Sequence, residues 1–177
     1  IQLMSEDRTD LMSLFNNEDQ KYIWKLIFLL IMNSDITRST DSFEKAIERF
    51  QTTTLDLGKT EDREILILML FRAALMSVYC RPFLISQKWH DLEAEEMYLL
   101  GDKEEKLHIN NTSEFHCREL NNKIEHAIDK FTNIVIPFYT ILTKVIPDLA
   151  ETFTTAKSNL KTWIHLKQTK NQNPQPQ

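Results

Sequence analysis

Glycine is nearly missing from this sequence, since Gly58 and Gly101 are the only two among 177 residues. Tight turns between strands and loops that enclose phosphate groups need glycine wherever the backbone takes a positive φ angle. A protein built on β-hairpins and a glycine-rich nucleotide loop are therefore both disfavoured. Leucine, isoleucine, glutamate and lysine are abundant instead, and the sequence predicts an all-α, multi-helix bundle.

The length and charge of the chain fit one domain with a sizeable core. The net charge of −5 disfavours nucleic acid as a partner. We predict a helical domain over residues 1–167 and a disordered polar tail over residues 168–177. The sequence shows no secretory signal, so we expect free thiols at Cys80 and Cys117 and a cytoplasmic location, with the cytoskeleton or a large complex as narrower alternatives.

The most apolar stretch, residues 61–89, predicts the central helix of the bundle. Nearly every residue over 65–76 is apolar, but a membrane span needs roughly 20 such residues, so we predict a buried helix and no membrane span. Thr60 is the expected N-cap, and Pro82 is expected to end the helix. A second helix then starts near Phe83, with three side chains turned inward: Trp89, Leu92 and Met97.

Four further helices follow from apolar periodicity and capping residues. The first begins at an N-cap at Asn17, ends near Met32 and is expected to be largely buried. A short amphipathic helix has apolar residues at Phe43, Ala46, Ile47 and Phe50. Gly101 and Asp102 are expected to form a turn, a long helix over 119–145 is expected to kink at Pro137, and a last helix starts at Pro147.

Two pairs of residues are spaced three apart on predicted helices and resemble metal ligands: His90 with Glu93, and His126 with Asp129. Neither pair has an evident third ligand, so we interpret them as surface polar residues. The acidic region over 91–105 is interpreted in the same way, as a solvated face. Spacing alone therefore predicts no active site.

Five short stretches occur in the order, and at nearly the spacing, of a known enzyme family. They read NSDI at residues 33–36, ALMSVY at 74–79, LGDKE at 100–104, SEFHCR at 113–118 and IVIPFY at 134–139. Together with Pro82 and Trp89, they resemble the C-terminal half of the catalytic domain of 3′,5′-cyclic-nucleotide phosphodiesterases. The resemblance extends from Leu11 to Trp163 and implies the helical fold of that half.

The resemblance also implies where the family's chemistry would lie, and these positions differ here. The family's metal-ligating Asp corresponds to Leu75, and an Asn of the same element corresponds to Val78. Its purine-binding Gln corresponds to Ala127, and the aromatic clamp that follows corresponds to Lys130, or to Phe131 if the register shifts by one. A hydrocarbon side chain offers no lone pair to a divalent cation. We therefore expect no catalytic residue, no metal and no cofactor, although the family uses metals such as Zn and Mg.

The resulting hypothesis is a catalytically inactive phosphodiesterase-like domain that acts as a structural or protein-interaction module in a larger intracellular assembly. An exposed apolar helical face, on the side of Ile27 and Leu75, is expected to bind a protein partner. A homodimer, or pairing with another phosphodiesterase-like chain, is also expected by analogy. Six retained residues would then act as fold determinants: Trp89, Gly101, Asp102, Arg118, Pro137 and Trp163.

Three alternatives stay open. In the first alternative, the chain is part of a metal-dependent phosphodiesterase whose N-terminal metal-binding half lies outside it, although Leu75 argues against this. In the second, it is a sensor that binds a cyclic nucleotide without hydrolysing it, although Val78 and Ala127 lack the groups that would hydrogen-bond to the purine. In the third, it is an unrelated helical adaptor, and an order of helices different from that of the phosphodiesterase family would reveal this.

Overall fold

The computed structural model describes residues 11–35, 41–52, 55–109, 113–118 and 123–172. These residues form α-helices and no β-strand, as the glycine-poor sequence predicts. The α-helices are α1 (Asn17–Met32), α2 (Asp41–Thr52), α3 (Thr60–Leu75), α4 (Phe83–Lys106), α5 (Lys123–Lys130), α6 (Ile136–Val145) and α7 (Ala150–Gln172). Short 3₁₀ turns cover Met12–Leu14, Met76–Cys80, Glu114–His116 and Pro147–Leu149, and a π-helix, Phe131–Val135, joins α5 to α6.

The core lies where the end of α3 meets α6 and α7. Met69, Met76 and Leu142 are fully buried there. The Tyr139 hydroxyl donates a hydrogen bond to the Ala73 carbonyl oxygen at 3.1 Å, which ties α6 to α3. The apolar residues of these three helices thus form one contiguous cluster.

A buried amide on α7 holds the turn that follows α3. Asn159 Nδ2 donates to the carbonyl oxygens of Tyr79 and Arg81, at 2.8 Å each. Asn159 is only 2% exposed, so its amide supplies both carbonyl groups with a partner inside the protein. The last helix therefore fixes the conformation of the 3₁₀ turn Met76–Cys80.

Helix α2 is attached to the start of α3 by an ion pair. The Asp62 carboxylate accepts hydrogen bonds from Arg49 Nε at 2.9 Å, Arg49 Nη2 at 2.6 Å and the Asp56 backbone N–H at 2.7 Å. These donors, the Asp56 N–H first, lower the pKa of Asp62. The N-cap of α3 is Lys59 and not Thr60, because Thr60 has already entered the helix.

Helix α1 is the least covered helix of those described. Its N-cap is Asn16, whose Oδ1 accepts from the Glu18 and Asp19 N–H groups at 3.0 and 2.9 Å, one residue earlier than predicted. None of its residues is buried, so the prediction of a largely buried helix is wrong. Among the described elements, α1 makes its main contact with α3 alone, which leaves its other sides open.

Helix α4 has its buried side where the sequence did not predict it. Trp89 and Leu92 are 53% and 56% exposed, so their inward orientation was predicted wrongly. The buried face instead carries small or polar side chains spaced about four apart: Ser86, His90, Ala94, Tyr98 and Gly101. Small residues on this face allow α7 and the segment 113–118 to approach α4 closely.

Gly101 lies inside α4 and does not form the predicted turn, because α4 continues to Lys106. A Cβ atom at Gly101 would lie 2.1 Å from the His116 carbonyl oxygen. The residue is therefore a contact point for the Glu114–His116 turn. Two salt bridges hold the same region, from Arg118 to Glu95 at 2.8 Å and to Asp102 at 3.2 Å.

The break expected at Pro137 lies one turn earlier than predicted. Pro137 is in the first turn of α6, where its missing N–H costs little, and the π-helix Phe131–Val135 precedes it. The tail also differs from its prediction, because α7 runs to Gln172 and includes residues 168–172. Helix propagation adds one hydrogen bond for each residue fixed, which favours this extension. Residues 173–177 lie outside the described ranges.

Pro82 forms the corner between α3 and α4, as predicted. Thr60–Cys80 and Phe83–Lys106 are bent by 106° at this point. Within the described ranges, no helix taken singly has the length and apolar character of a membrane span, although this bent pair reaches them when its two parts are counted together.

Candidate functional site

The positions that the resemblance assigns to phosphodiesterase chemistry lie around the 3₁₀ turn after α3 and on α5. Leu75 is the last residue of α3 and is 36% exposed, so it is not a core side chain here. Val78 is partly buried, and Ala127 is 1% exposed. Lys130 and Phe131 are 2% and 1% exposed, at the junction of α5 and the π-helix.

A buried ion pair occupies the space between α4, α5 and the 3₁₀ turn. The Lys130 ammonium group binds Glu93 Oε1, and the Tyr79 hydroxyl donates to Glu93 Oε2 at 2.9 Å. Burial raises the pKa of Glu93. The charge of Lys130 and the hydrogen bonds from Lys130 and Tyr79 lower this pKa by more than burial raises it, so the net shift is downward. Glu93 is therefore ionised at neutral pH and holds Lys130 in place.

Two histidines complete this cluster. The rings of His90 and His126 lie 5.2 Å apart between their centroids, and His90 Nε2 lies 2.8 Å from the Lys123 carbonyl oxygen, to which it donates. Burial and the nearby charge of Lys130 lower the pKa of His126 to about 4, and burial lowers that of His90. Both rings are thus neutral at physiological pH, and they serve as packing surfaces.

The residues of the two predicted metal pairs were interpreted as surface polar residues, which is wrong for both histidines, since His90 and His126 are 1% and 5% exposed. His90, Glu93 and His126 come together, but Glu93 is bound by the Lys130 ammonium group and His90 Nε2 by a backbone oxygen. Asp129 lies elsewhere, with its Oδ1 accepting from Asn133 at 2.6 Å. Within the described ranges, no group of three His, Cys, Asp or Glu residues is arranged to hold a metal ion.

Sequence reasoning missed the Lys130–Glu93–Tyr79 cluster because its members are far apart in the chain. Glu93 was interpreted as part of a solvated acidic face, and that is wrong for two acidic residues of the region. Glu93 and Glu104 have side chains only 29% and 12% exposed, and Glu104 Oε2 lies 3.1 Å from His116 Nδ1. The sequence offered little signal, because Lys130 stands next to Asp129 in a stretch where charged, polar and apolar residues alternate.

The six expected fold determinants have different outcomes. Trp163 is 2% exposed and makes edge contacts with Phe83 and His90, each at 5.2 Å between ring centroids. Gly101, Asp102, Arg118 and Pro137 take the packing, ion-pair and helix-start positions described above. Trp89 does not belong to this set, because more than half of it is exposed.

Comparison with known families decides what this arrangement belongs to. Residues 1–156 match the family model described as 3'5'-cyclic nucleotide phosphodiesterase. The chain belongs to this family. An unrelated helical adaptor is therefore no longer an alternative.

Two curated phosphodiesterases are similar in sequence. The cGMP-specific 3',5'-cGMP phosphodiesterase 3 of Dictyostelium discoideum is 25% identical over 166 residues, which cover 91% of this chain and 34% of that protein. The high affinity cGMP-specific 3',5'-cyclic phosphodiesterase 9A of Mus musculus is 23% identical over 154 residues, which cover 85% of this chain and 28% of that protein. The chain thus spans about a third of these phosphodiesterases.

Solved phosphodiesterase structures share the fold. LmjPDEB1, in complex with IBMX, matches with a TM-score of 0.85 and 18% identity, over 94% of this chain and 50% of that one. The phosphodiesterase domain of the RhoPDE fusion protein from the choanoflagellate Salpingoeca rosetta matches with a TM-score of 0.86 and 16% identity, over 96% and 54%. The chain has the fold of about half of a phosphodiesterase domain.

Proposed function

We propose that this chain is a catalytically inactive phosphodiesterase-like domain whose role is to bind another protein. One observation carries the first part of the proposal: the side chain at the family's metal-ligand position is Leu75, a hydrocarbon at the end of α3. A divalent metal needs oxygen or nitrogen donors, and leucine supplies none.

The buried ion pair supports the same conclusion. Ala127 stands at the family's purine-binding position, where its methyl group can neither donate nor accept a hydrogen bond. Ala127 is itself 1% exposed, and Lys130, at the position of the aromatic clamp, binds Glu93, so protein groups already cover both positions. A nucleotide base would have to displace a buried and satisfied ion pair, which argues against a cyclic-nucleotide sensor.

Exposed apolar side chains support the second part of the proposal. Near the end of α1, Phe28, Ile31 and Met32 are 67%, 55% and 60% exposed. Soluble proteins seldom leave such groups uncovered unless a partner packs on them. Since the matched phosphodiesterase chains are about twice as long, a helical segment that completes the domain is one partner of suitable shape. The cytoplasmic location predicted from the sequence stays a prediction.

One alternative function has an observation in its favour. The chain spans about half of the matched phosphodiesterase domains, so an active enzyme that includes a further half is the second candidate. In that case the further half would supply all protein ligands of the metal, because Leu75 contributes none.

A hydrolysis assay distinguishes the two candidates. The purified chain, and the longest natural protein that contains it, are incubated with cGMP and with cAMP in the presence of Mg²⁺, Mn²⁺ or Zn²⁺. cGMP comes first because the two curated relatives are named as cGMP-specific. We expect no turnover above a heat-treated control from either sample, and no binding of either nucleotide by calorimetry. Turnover by the longer protein would support the enzyme and reject the proposal.

A further inference from the structure

A cleft of about 360 Å³ opens where the end of α3, the 3₁₀ turn after it and the start of α7 meet. Its walls are apolar, with Leu70 and Ala74 from α3 and Leu149 from the turn before α7. Sites for small molecules have volumes of about 300–1,000 Å³ and combine apolar walls with a few polar groups. None of the described residues that line the cleft is at a position that the resemblance assigns to phosphodiesterase chemistry. The cleft is therefore a candidate ligand site that the proposed function does not use.

The deep part of the cleft is neutral. Cys80 is 8% exposed there, and burial raises the pKa of its thiol, although the charge of Arg81 acts in the opposite direction. The Tyr139 hydroxyl also lies at this depth, and it already donates to the Ala73 carbonyl oxygen. A charged group placed at this depth would lose its hydration without gaining an ionic partner, so the inner part of a ligand must be apolar.

Polar groups that are available to a ligand lie nearer the surface. Arg81 is exposed, and it is the one charged residue among the described residues that line the cleft. No carboxylate of the described ranges forms a salt bridge with its guanidinium group. Ser77 and Thr152 also line the cleft, and no hydroxyl hydrogen bond joins either of them to another described residue. By contrast, Thr154 and Thr155 of the same helix donate to backbone carbonyl groups.

An apolar wall, a neutral interior and one unpaired cation together select the chemistry of the ligand. We propose that the cleft binds a small carboxylate with an apolar body, such as a medium-chain fatty acid. The carboxylate pairs with the Arg81 guanidinium group, whose planar N–H donors match two carboxylate oxygens, and the hydrocarbon lies against Leu70 and Leu149. A phosphate monoester carries up to about two negative charges, of which a single cation neutralises one, so it fits less well. This inference depends neither on the loss of catalysis nor on a protein partner.

NMR titration of the full, isotope-labelled chain with octanoate tests the site. We expect binding with a Kd of about 0.2–5 mM, which is typical of a ligand with roughly ten non-hydrogen atoms. The largest shifts of backbone resonances should occur at Ala74, Cys80 and Thr152. Octanamide has the same shape without the charge, and acetate has the charge without the chain. Each should bind at least about threefold more weakly than octanoate.

Replacing the cation tests the polar contact. Arg81→Gln should weaken octanoate binding by about three- to tenfold and leave octanamide binding within about twofold. A general loss of structure would weaken both ligands equally, so the difference between them is specific to the charge. Lys161→Gln is the matched control, because it removes an exposed positive charge of α7 that does not line the cleft, and it should leave both affinities unchanged.

Filling the cleft tests its location. Ala74→Phe should abolish binding of both ligands, whereas Thr154→Phe, at an exposed position outside the lining, should not. Circular dichroism checks that both variants keep their helical content. Octanamide that binds as tightly as octanoate would overturn the proposal, as would shifts centred on the exposed apolar residues of α1 or α4. An Arg81→Gln variant with unchanged octanoate affinity would also overturn it, as would a natural chain that shows no binding up to about 20 mM octanoate.

Discussion

The Lys130 ammonium group, 2% exposed, binds the Glu93 carboxylate, which also accepts a hydrogen bond from Tyr79 at 2.9 Å. The three residues come from α5, α4 and the turn after α3, so one pair of charges joins three elements of the fold. At the position where the resemblance places an aromatic clamp, this chain has a cation with a partner of its own.

Removing one charge of the Lys130–Glu93 pair should lower the free energy of unfolding far more than removing both charges. Lys130→Met leaves an ionised Glu93 in a largely buried place, and we expect a loss of about 3 kcal/mol in the free energy of unfolding. Lys130→Met combined with Glu93→Gln, which keeps an acceptor for Tyr79, should stay within about 1 kcal/mol of the natural protein. Urea unfolding followed by circular dichroism measures both.

The control for this experiment is Lys161→Met, because Lys161 is exposed on α7. It should change the free energy by less than about 0.5 kcal/mol. A single Lys130→Met variant as stable as this control would contradict the buried pair.

Gly101 should tolerate no side chain. Gly101→Ala places a Cβ atom 2.1 Å from the backbone oxygen of His116, which cannot move without its turn, so we expect a loss of about 2 kcal/mol. Gly58→Ala is the control, because its Cβ would meet only the Asp56 carboxylate oxygen, at 3.1 Å, and that side chain can move. Thermal unfolding of the two variants compares them, and equal melting temperatures would count against the close contact.

Replacing Asn159 should lower the stability of the protein more than replacing an exposed asparagine that makes a shorter hydrogen bond. Asn159→Ala leaves the carbonyl groups of Tyr79 and Arg81 without their donor, and we expect a loss of about 2 kcal/mol. Asn133→Ala removes an exposed bond of 2.6 Å to Asp129 and should cost less than about 0.5 kcal/mol. Chemical unfolding measures both, and the reverse order of stabilities would show that α7 does not hold the turn.

Acid should destabilise the fold through its buried histidines. The pKa of His126 is about 4 in the folded chain and about 6.5 in the unfolded chain, so the unfolded state binds more protons between these values. Stability should therefore fall by about 2–3 kcal/mol as the pH drops from 6.5 to 4. His126→Gln should flatten most of this slope, while His165→Gln, at an exposed position on α7, should leave it unchanged.

Below this window a different set of groups acts. Asp62 and Glu93 have lowered pKa values, so the stability that they contribute is lost as the pH falls through those values. Unfolding curves measured from pH 7 to pH 4 separate the histidine effect from theirs. A flat profile over that range in the natural protein would contradict the buried position of His126.

The helices of this fold were predictable where one signal controls them, and their orientation was not. Pro82 ends the α3 segment because proline constrains the backbone locally, and such a rule can be read from sequence. The inner face of α4 could not be predicted from the sequence, because Trp89 and Leu92 are apolar yet face outward, while small residues such as Ala94 face inward. Helix packing selects side chains by volume, which apolar periodicity does not record.

The candidate site divides in the same way. The identities of Leu75 and Ala127 are visible in the sequence, at positions that the resemblance assigns to the family's chemistry. The contact of Lys130 with Glu93 joins residues 37 positions apart, so no local spacing predicts it.

The π-helix Phe131–Val135 sets the rotation of α5 relative to α6. A wide turn of this kind accommodates one residue more than a regular α-helical turn would. If these same residues formed a regular α-helix instead, everything before them would rotate by roughly 100° about the axis. Lys130 would then move away from Glu93, and an apolar neighbour would face the carboxylate. The extra residue of the π-helix therefore determines that a charged side chain faces the interior at this point.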